Sequence, residues 1–584
     1  MTPVDQAGDT GTATPGDTSD FETQRFLLLS ILIGIFGGLL VVCFHIAIEV
    51  VAWRSLGLLP ETGVWRAVLA PAAGGALAFA LVRWVFPAAR GSGVNYTKEA
   101  FYSSNGRIPF STVAGKFLAC SVSLGSGNSL GPEDPALQMG AGVASLLGRA
   151  FRLTTYHLRL IAPVGAAAGI GAAFNTPITA VLFVIEEVIG GWNAAVLGSI
   201  VLSAVAAVVV SRSFLGDAPL FRAPVVGLEH PSELLVYAGL GLVVGLMAVA
   251  YVRIASGLRG RLRHAVPSRR IALPVAAGLF VGLVGLWLPQ VLSVGYQTVD
   301  GALHSEFTWR MLLLLGLAKI LVTSACFAAG TPGGLFAPTL FAGAMLGGAA
   351  GGLAIEYWPA PTGPLGTYVL VGMGAFFAAV FRAPMTSIFM VFEVSASYVV
   401  ILPVMVANTM AYLISRRLQP ISLFDLVARQ DGLELPSGED QREARVMRVE
   451  DALRRPPCGP IAPSESIDSA LARLDAAGAD LLVVRLGDGR WSVVRRELVE
   501  VAARTGTGHL SLHQALAPRP LPKLHPDQTL DAALRLLRGT PLLPVVGRTG
   551  GDELLGVIGL DDVLEAYGLR PRADSGPDVA VEPQ

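Results

Sequence analysis

Charged residues are scarce in this sequence. Only 15% of its 584 residues are Asp, Glu, Lys or Arg, whereas 52% are hydrophobic. A chain of this length exceeds one compact soluble domain, and so small a charged share is typical of a protein that crosses a membrane many times. The formal net charge of −1 gives no indication of a nucleic-acid partner.

Cysteine and histidine are also scarce. The four cysteines are not placed at metal-ligand spacing, and Cys43, Cys120 and Cys326 lie in apolar stretches. We interpret them as small core residues, so the sequence predicts neither a disulfide framework nor a metal site. None of the eight histidines sits at zinc-ligand spacing. With no Ser/His/Asp, Cys/His or phosphate-loop pattern either, we predict that the protein is not an enzyme.

Apolar runs fill most of residues 25–417. Several of them are shorter than the ~20 residues that a spanning helix needs, and Gly or Pro interrupts them. Broken helices are tolerated in a membrane where their ends line a cavity inside the protein, as at transporter sites. We therefore predict an all-α polytopic membrane domain with broken helices. Its runs are Phe26–Trp53, Val64–Val85, Ala114–Ser123, Leu160–Ile170, Phe174–Ile189, Ala194–Val210, Leu234–Val252, Ile271–Val291, Met311–Ala329, Leu335–Ala354, Tyr368–Ala379, Ala383–Val394 and Val399–Ile414.

This part of the chain also repeats itself. Ala172–Glu186 matches Ala379–Glu393, 207 residues further on, and Gly131–Pro135 matches Gly334–Pro338 with an offset of 203. Two matches in the same order, at nearly the same offset, indicate a duplication. Inverted repeats build many transporters, with the substrate site at their interface. Glu186 and Glu393 end the two segments of the first match. Because they recur at equivalent positions, we interpret both as structural residues.

One carboxylate, Glu133, stands at the start of a Gly-rich apolar run that suits a helix. Pro135 fits the first turn of that helix, where an N–H group is not needed. The unpaired N–H groups and the dipole of a helix start attract anions. A carboxylate there can compete with a dissolved anion, and it can also leave by taking up a proton. Glu133 thus predicts coupling of anion movement to proton movement, with a capping acid in a loop as the alternative.

The C-terminal region has a different pattern. Two pairs of β-type runs, Leu481–Arg485 with Trp491–Val494 and Leu542–Val546 with Leu554–Ile558, alternate with short helical patterns. This predicts a duplicated α/β unit. The predicted domains are a disordered tail (1–24), the membrane domain (25–417), a linker (418–445), the duplicated unit (446–570) and a second disordered tail (571–584).

Lys and Arg are concentrated in the loop of residues 253–270 and at Arg416 and Arg417. Positive loops face the cytoplasm in membrane proteins. We therefore predict a multi-pass protein of the cell (inner) membrane with its N-terminus and its C-terminal unit in the cytoplasm.

Three short motifs resemble the signatures of one family, the CLC chloride channels and proton-coupled chloride transporters. They are Gly91–Asn95 (Gly-Ser-Gly-Val-Asn), Gly131–Pro135 (Gly-Pro-Glu-Asp-Pro) and Gly334–Pro338 (Gly-Leu-Phe-Ala-Pro). The order of the motifs and the two repeats make the resemblance specific. Three further stretches are similar to the family: Phe174–Pro177, Ile185–Val188 and, as paired CBS domains, residues 446–570.

The resemblance implies a homodimer that carries chloride and protons, with one anion pathway in each subunit. Glu133 matches the external gating glutamate, and Glu187 matches the internal proton-transfer glutamate of the exchangers. A helix-end acid paired with an Arg is the alternative for Glu187. We therefore expect chloride/proton antiport. A passive voltage- or ligand-gated chloride channel in the same fold, and an exchanger for nitrate, fluoride or bicarbonate, are the alternatives.

The resemblance also implies an anion site. The Ser92 hydroxyl and the Phe336 backbone N–H bind the anion, within signature residues that include Gly93, Gly334 and Leu335. Hydroxyl and N–H donors at helix starts can replace much of the hydration of an anion without a fixed positive charge. A turn residue between glycines is the alternative interpretation of Ser92.

This sequence departs from the family pattern at several positions. Pro132 stands for the usual Arg, and Asp134, in place of Gly, is expected to put a like charge beside Glu133 and to weaken the attraction of anions. Asn95 stands for the usual Pro and suits a helix N-cap. Phe424 is the best match for the tyrosine whose hydroxyl completes the anion site, and it has no hydroxyl.

The CBS resemblance implies an adenine nucleotide whose ribose is held by an Asp. Asp562 is at the expected place, but the first copy lacks this Asp. A structural or dimer-stabilising role of the CBS pair is the alternative. An enzyme or receptor with the CBS pair as its working part is a rival that no motif supports.

Overall fold

The computed structural model describes most of the chain, in two compact units of residues 1–443 and 444–584. Of the predicted tails, residues 1–14 and 571–584 lie outside the described part. The described residues are 15–57, 64–191, 194–221, 223, 228–263, 271–358, 362–433, 435–436, 447–456, 458–487, 489–537, 540–548 and 553–567.

The described part of the first unit is helical. Seven of its helices are long and apolar enough to cross a membrane, and four apolar helices are shorter. The first eight are α1 (Pro15–Ser55), α2 (Val64–Ala80), α3 (Gly93–Tyr102), α4 (Phe110–Gly125), α5 (Glu133–Ala150), α6 (Thr155–Phe174), α7 (Pro177–Phe183, continued by a π-turn to Ile189) and α8 (Ala194–Leu215).

The next eight helices repeat this pattern of long and short lengths. They are α9 (Glu233–Arg263), α10 (Ala272–Trp287), α11 (Tyr296–Leu303), α12 (Trp309–Ala328), α13 (Phe336–Tyr357), α14 (Leu365–Phe381), α15 (Pro384–Ser395) and α16 (Ile401–Leu418), and α17 (Leu423–Asp431) follows.

The two sets of eight helices are joined at equivalent residues. Gly131 and Gly334 form an antiparallel bridge, in which each N–H donates to the other carbonyl at 2.8 and 2.7 Å. These residues are partners in the sequence match with offset 203. Equivalent segments that pass each other antiparallel are what an inverted repeat requires. The predicted all-α membrane domain with an inverted repeat and broken helices is therefore confirmed.

Two glutamates also tie the repeats together. The Glu186 carboxylate accepts hydrogen bonds from the N–H and hydroxyl of Thr386, at 2.9 and 2.7 Å, at the start of α15. The Glu393 carboxylate accepts from the same two groups of Thr179, at 2.6 and 2.5 Å, at the start of α7. Each glutamate thus supplies the acceptor that a helix start in the other repeat needs. The structural interpretation of both residues is confirmed.

Two helices extend into segments that were predicted as a tail and a linker. α1 begins at Pro15, inside the predicted N-terminal tail, because a helix that has formed gains one hydrogen bond for each residue added to it. α17 lies inside the predicted linker of residues 418–445. The Ser422 hydroxyl caps this helix by accepting from the N–H of Asp425, and its apolar side chains are buried.

The second unit contains two similar halves. β1 (Leu481–Arg485) pairs antiparallel with β2 (Trp491–Arg495), and β3 (Leu542–Val546) pairs antiparallel with β4 (Leu554–Gly559). A third segment joins each pair through a parallel bridge. The two predicted strand pairs are confirmed. The helices of this unit are α18 (Ile467–Ala477), α19 (Arg496–Ala502), α20 (Leu512–Leu516), α21 (Leu530–Leu536) and α22 (Leu560–Ala566).

Loss of either glutamate cap should weaken the fold of the first unit. We expect Glu186→Ala and Glu393→Ala each to lower the free energy of unfolding by about 1–3 kcal/mol, because the donors of Thr386 and Thr179 lose their acceptor. Thermal unfolding of the protein in detergent measures this. Glu49→Ala, at an exposed position of α1, is the control. Two capping variants as stable as the wild type would contradict the role given to these caps.

Candidate functional site

Four helix starts meet near the glycine bridge between the repeats. α5 and α13 begin at Glu133 and Phe336, directly after the bridge, while α3 and α11 begin at Gly93 and Tyr296. The N–H groups at these starts have no acceptor in their own helices. The helix dipoles add positive potential at the same place. A buried region of this kind favours negatively charged groups.

Glu133 occupies this region and is fully buried. Its carboxylate accepts a hydrogen bond from the Tyr296 hydroxyl and another, at 3.3 Å, from the N–H of Ala337. Both donors belong to the second repeat. A Cβ atom on Gly131 would lie 2.3 Å from Glu133 Oε2, so the glycine of the bridge makes room for the carboxylate. The structure thus places a protein anion at the helix starts of the other repeat.

Asp134 has different partners from those of its neighbour. Its carboxylate accepts from the Ser92 hydroxyl at 3.0 Å and from the N–H groups of Gly93 and Val94 at 2.8 and 2.9 Å. The expectation that Asp134 acts as a second charge beside Glu133 is therefore incomplete. Successive side chains at a helix start point in different directions, so the two carboxylates reach the starts of different helices.

A cavity of about 700 Å³ reaches part of the predicted anion site. Ser92, Gly334, Leu335 and Phe424 line it together with Asp134. These four predicted anion-site residues, from three separate parts of the chain, are brought together.

The other predicted site residues do not line this cavity. Gly93 is buried, and its N–H donates to Asp134. Phe336 packs in an aromatic cluster, with its ring centroid 5.1 Å from that of Phe381 and 5.8 Å from that of Phe424. Glu133 is not among the residues that line the cavity, although the next residue, Asp134, is.

The residue type of Asn95 suits an N-cap, but Asn95 does not cap α3. The N-cap is Ser92, and Asn95 lies in the first turn of the helix. Its Nδ2 donates to the backbone carbonyl of Phe424 at 2.9 Å. This bond ties α3 to α17 and fixes Phe424 at the cavity wall.

Several cations in the cavity wall were missed by the sequence analysis. Lys116 is buried in α4 and donates to the carbonyl of Gly91 at 2.7 Å. A lone lysine inside an apolar run is a usable signal, because charged groups in membrane segments face the protein interior. Arg259, which lies in the loop predicted to be cytoplasmic, pairs with Asp431 at 2.8 Å in the same wall. Three more arginines line the cavity: Arg83, Arg90 and Arg263.

Tyr296 was also missed. It opens α11, 203 residues after Gly93 opens α3, so the repeat offset is the signal that finds it.

Glu187 is buried in the π-turn that continues α7, and it pairs with a lysine. Lys98 Nζ lies 2.5 Å from Glu187 Oε1 and 3.8 Å from Asp425 Oδ1. Both Lys98 and Glu187 are at most 3% exposed. Lys98 lies in the turn of α3 after the predicted anion ligands, and sequence analysis did not select it. The structure thus pairs Glu187 with a lysine, whereas the alternative interpretation had an arginine as its partner.

Asp562 lies in the first turn of α22 in the second unit. One of its oxygens accepts from the N–H of Gly559 at 2.7 Å, and the other pairs with Arg454 Nε at 2.6 Å. The side chain thus caps its own helix and neutralises a cation, and both oxygens already have partners.

The comparisons with known proteins agree with this fold. The family model described as voltage gated chloride channel matches residues 74–416, and the model of the CBS domain matches residues 515–569. A putative chloride channel protein ClcB-like of Ralstonia nicotianae is 34% identical, over 70% of this chain and 99% of that protein. The H(+)/Cl(-) exchange transporter ClcA of Cronobacter sakazakii is 31% identical, over 72% of this chain and 92% of that protein.

A crystal structure of a slow cyanobacterial Cl-/H+ antiporter also matches. The match covers 69% of this chain and 97% of the antiporter chain, with a TM-score of 0.65 and 25% sequence identity. An inverted repeat of membrane helices with these matches defines a multi-pass membrane protein of the transporter class. The chain belongs to the voltage gated chloride channel family, with a CBS domain in its C-terminal unit.

Loss of the buried cation Lys98 should destabilise the first unit. Lys98→Met leaves Glu187 buried without its counter-charge, so we expect a loss of about 3–5 kcal/mol in the free energy of unfolding. Lys98→Met combined with Glu187→Gln removes both charges and should recover most of that loss. Thermal unfolding in detergent compares the three proteins. A single variant as stable as the wild type would contradict the pairing.

Proposed function

We propose that the protein exchanges chloride for protons across the membrane and that Glu133 is the gate shared by both ions. Relatives at 31–32% identity are named H(+)/Cl(-) exchange transporters, and the similar crystal structure is that of a Cl-/H+ antiporter. The observation that carries the proposal is the buried carboxylate of Glu133 on donors of the other repeat.

The proposed exchange follows from what these donors can bind. An N–H and a hydroxyl that hold a carboxylate can hold a chloride ion in the same way. Protonation removes the charge of Glu133 and weakens its hold on the donors. Chloride then takes the place that the carboxylate leaves. Movement of one ion thereby depends on movement of the other.

We assign the inner part of the proton route to Glu187. A proton on Glu187 removes one charge of the buried pair with Lys98, and the nearby carboxylate of Asp425 then remains to balance the lysine. We assign the inner part of the anion route to the cavity lined by Ser92, Gly334, Leu335 and Phe424. The arginines of its wall attract anions from solution.

The setting of the protein is part of the proposal. Arg259 and Arg263 line the cavity and lie at the basic C-terminal end of α9, so we place the cavity mouth on the cytoplasmic side of the cell membrane. The N-terminus and the tandem CBS unit are then cytoplasmic. We further propose a homodimer with one pathway in each subunit.

A role for an adenine nucleotide is a weaker proposal. The ribose would have to displace Arg454 from Asp562, because the remaining oxygen caps α22. These contacts favour a structural role of the CBS unit.

Transport in liposomes tests the exchange. We expect a chloride gradient to drive protons uphill in the wild type, and Glu133→Gln to abolish proton movement while part of the anion flux remains. Glu187→Gln should stop proton movement as well, because the inner acceptor is lost. Glu49→Gln, at an exposed position, is the control.

The same assay separates the alternatives. Anion flux without proton movement in the wild type would identify a passive channel and overturn the proposed exchange. Parallel gradients of nitrate, fluoride and bicarbonate test the choice of anion, since a larger proton signal with one of them would replace chloride as the substrate.

A hydroxyl at Phe424 should strengthen anion binding. Phe424→Tyr adds a donor at the cavity wall, and we expect chloride binding to improve by about 1.5 kcal/mol, roughly tenfold in Kd. Isothermal titration calorimetry in detergent measures this. Phe327→Tyr, which adds a hydroxyl elsewhere in the same wall, is the matched control. Equal effects of the two variants would contradict a specific site at Phe424.

A further inference from the structure

The start of α3 already holds an anion that belongs to the protein. The Asp134 carboxylate accepts hydrogen bonds from the Ser92 hydroxyl and from the N–H groups of Gly93 and Val94, all within 3.0 Å. Asp134 is 2% exposed. The carboxylate itself is therefore shielded from bulk water, and it satisfies the start of the helix.

A dissolved anion would need one of the same donors. The Ser92 hydroxyl has a single hydrogen, so it cannot donate to Asp134 and to a transported anion together. The cavity lined by Ser92 and Asp134 gives a dissolved anion access to this hydroxyl. Binding of that anion at Ser92 therefore requires the Asp134 side chain to give up its hydrogen bond.

The backbone around Asp134 is closely packed. A Cβ atom on Gly93 would lie 2.2 Å from the Asp134 carbonyl oxygen, and a Cβ atom on Gly334 would lie 2.8 Å from Asp134 Cβ. The first turn of α5 is thus in close contact with two other segments. Rotation of the Asp134 or the Ser92 side chain can release the hydrogen bond without a change in this packing.

We propose that Asp134 is a tethered anion that competes with the transported anion for the Ser92 hydroxyl and thereby sets the anion affinity of the inner site. This inference rests on the proposed function for the identity of the transported anion. It gives the chain two adjacent carboxylates with separate tasks, Glu133 at the starts of α11 and α13 and Asp134 at the start of α3.

Chloride binding to purified full-length protein in detergent tests this inference without transport. By isothermal titration calorimetry, we expect Asp134→Gly to lower the Kd for chloride at least fivefold. Asp134→Asn, which keeps the shape and one acceptor but removes the charge, should give a smaller decrease. Asp217→Asn, the same charge change at an exposed position, is the control.

A second comparison keeps the inference testable if Asp134→Gly does not fold. Ser92→Ala should change the chloride Kd little in the wild type, where Asp134 holds the hydroxyl, and should weaken binding at least threefold in the Asp134→Asn background. Equal effects in the two backgrounds would overturn the competition.

The remaining outcomes are also decisive. Unchanged chloride affinity in folded Asp134 variants, with or without a lower unfolding temperature, would make Asp134 a helix cap only. The proposed function can fail separately. If the wild type moves no protons in liposomes while Asp134→Asn still binds chloride more tightly, the exchange proposal fails and the competition stands.

Discussion

A helix that begins inside a membrane must find acceptors for its first N–H groups, because no water is available there. The short helices of this protein meet that constraint with carboxylates from other helices. Glu186 and Glu393 satisfy the starts of α15 and α7, and each comes from the opposite repeat. Asp134 satisfies the start of α3. The inverted repeat is held together by these contacts and by the glycine bridge.

The same constraint places Glu133 where it can act as a gate. Its carboxylate accepts from the Ala337 N–H at the start of α13 and from the side-chain hydroxyl of Tyr296, the first residue of α11. Under the proposed function, Glu133 differs from Glu186 and Glu393 in that a dissolved anion can supply the acceptor in its place. At a start that a dissolved anion can reach, a carboxylate and that anion are interchangeable partners. In the proposed exchange, chloride replaces the Glu133 carboxylate on these donors, and this replacement moves charge through the protein.

Buried charge has a cost, and the structure offsets it locally. Lys98 lies between Glu187 and Asp425, so the cation has a partner on either side. The proton-transfer role proposed for Glu187 depends on this arrangement, because the lysine would otherwise be left unpaired when Glu187 is neutral. Lys116 donates to the Gly91 carbonyl in the cavity wall, where it adds positive potential.

The membrane class, the inverted repeat and the two strand pairs were predictable from the sequence. Apolar runs, two matches at one offset and alternating β-type runs depend on local pattern, which survives in any environment of the chain. The positions of Glu133, Ser92 and Phe424 in the site followed from motifs that resemble those of the family. Tyr296 and Lys116 could also have been predicted. The repeat offset indicates Tyr296, and a lone charge in an apolar run indicates Lys116.

What the sequence could not determine is which partner each side chain takes. Glu133 and Asp134 are adjacent and chemically alike, yet they reach the starts of different helices because α5 directs them in different directions. Asn95 has a residue type that suits an N-cap, but packing directs its side chain to the carbonyl of Phe424. Local pattern determines where helices and strands form. Contacts between residues hundreds of positions apart depend on how those elements pack, and only the tertiary structure decided them.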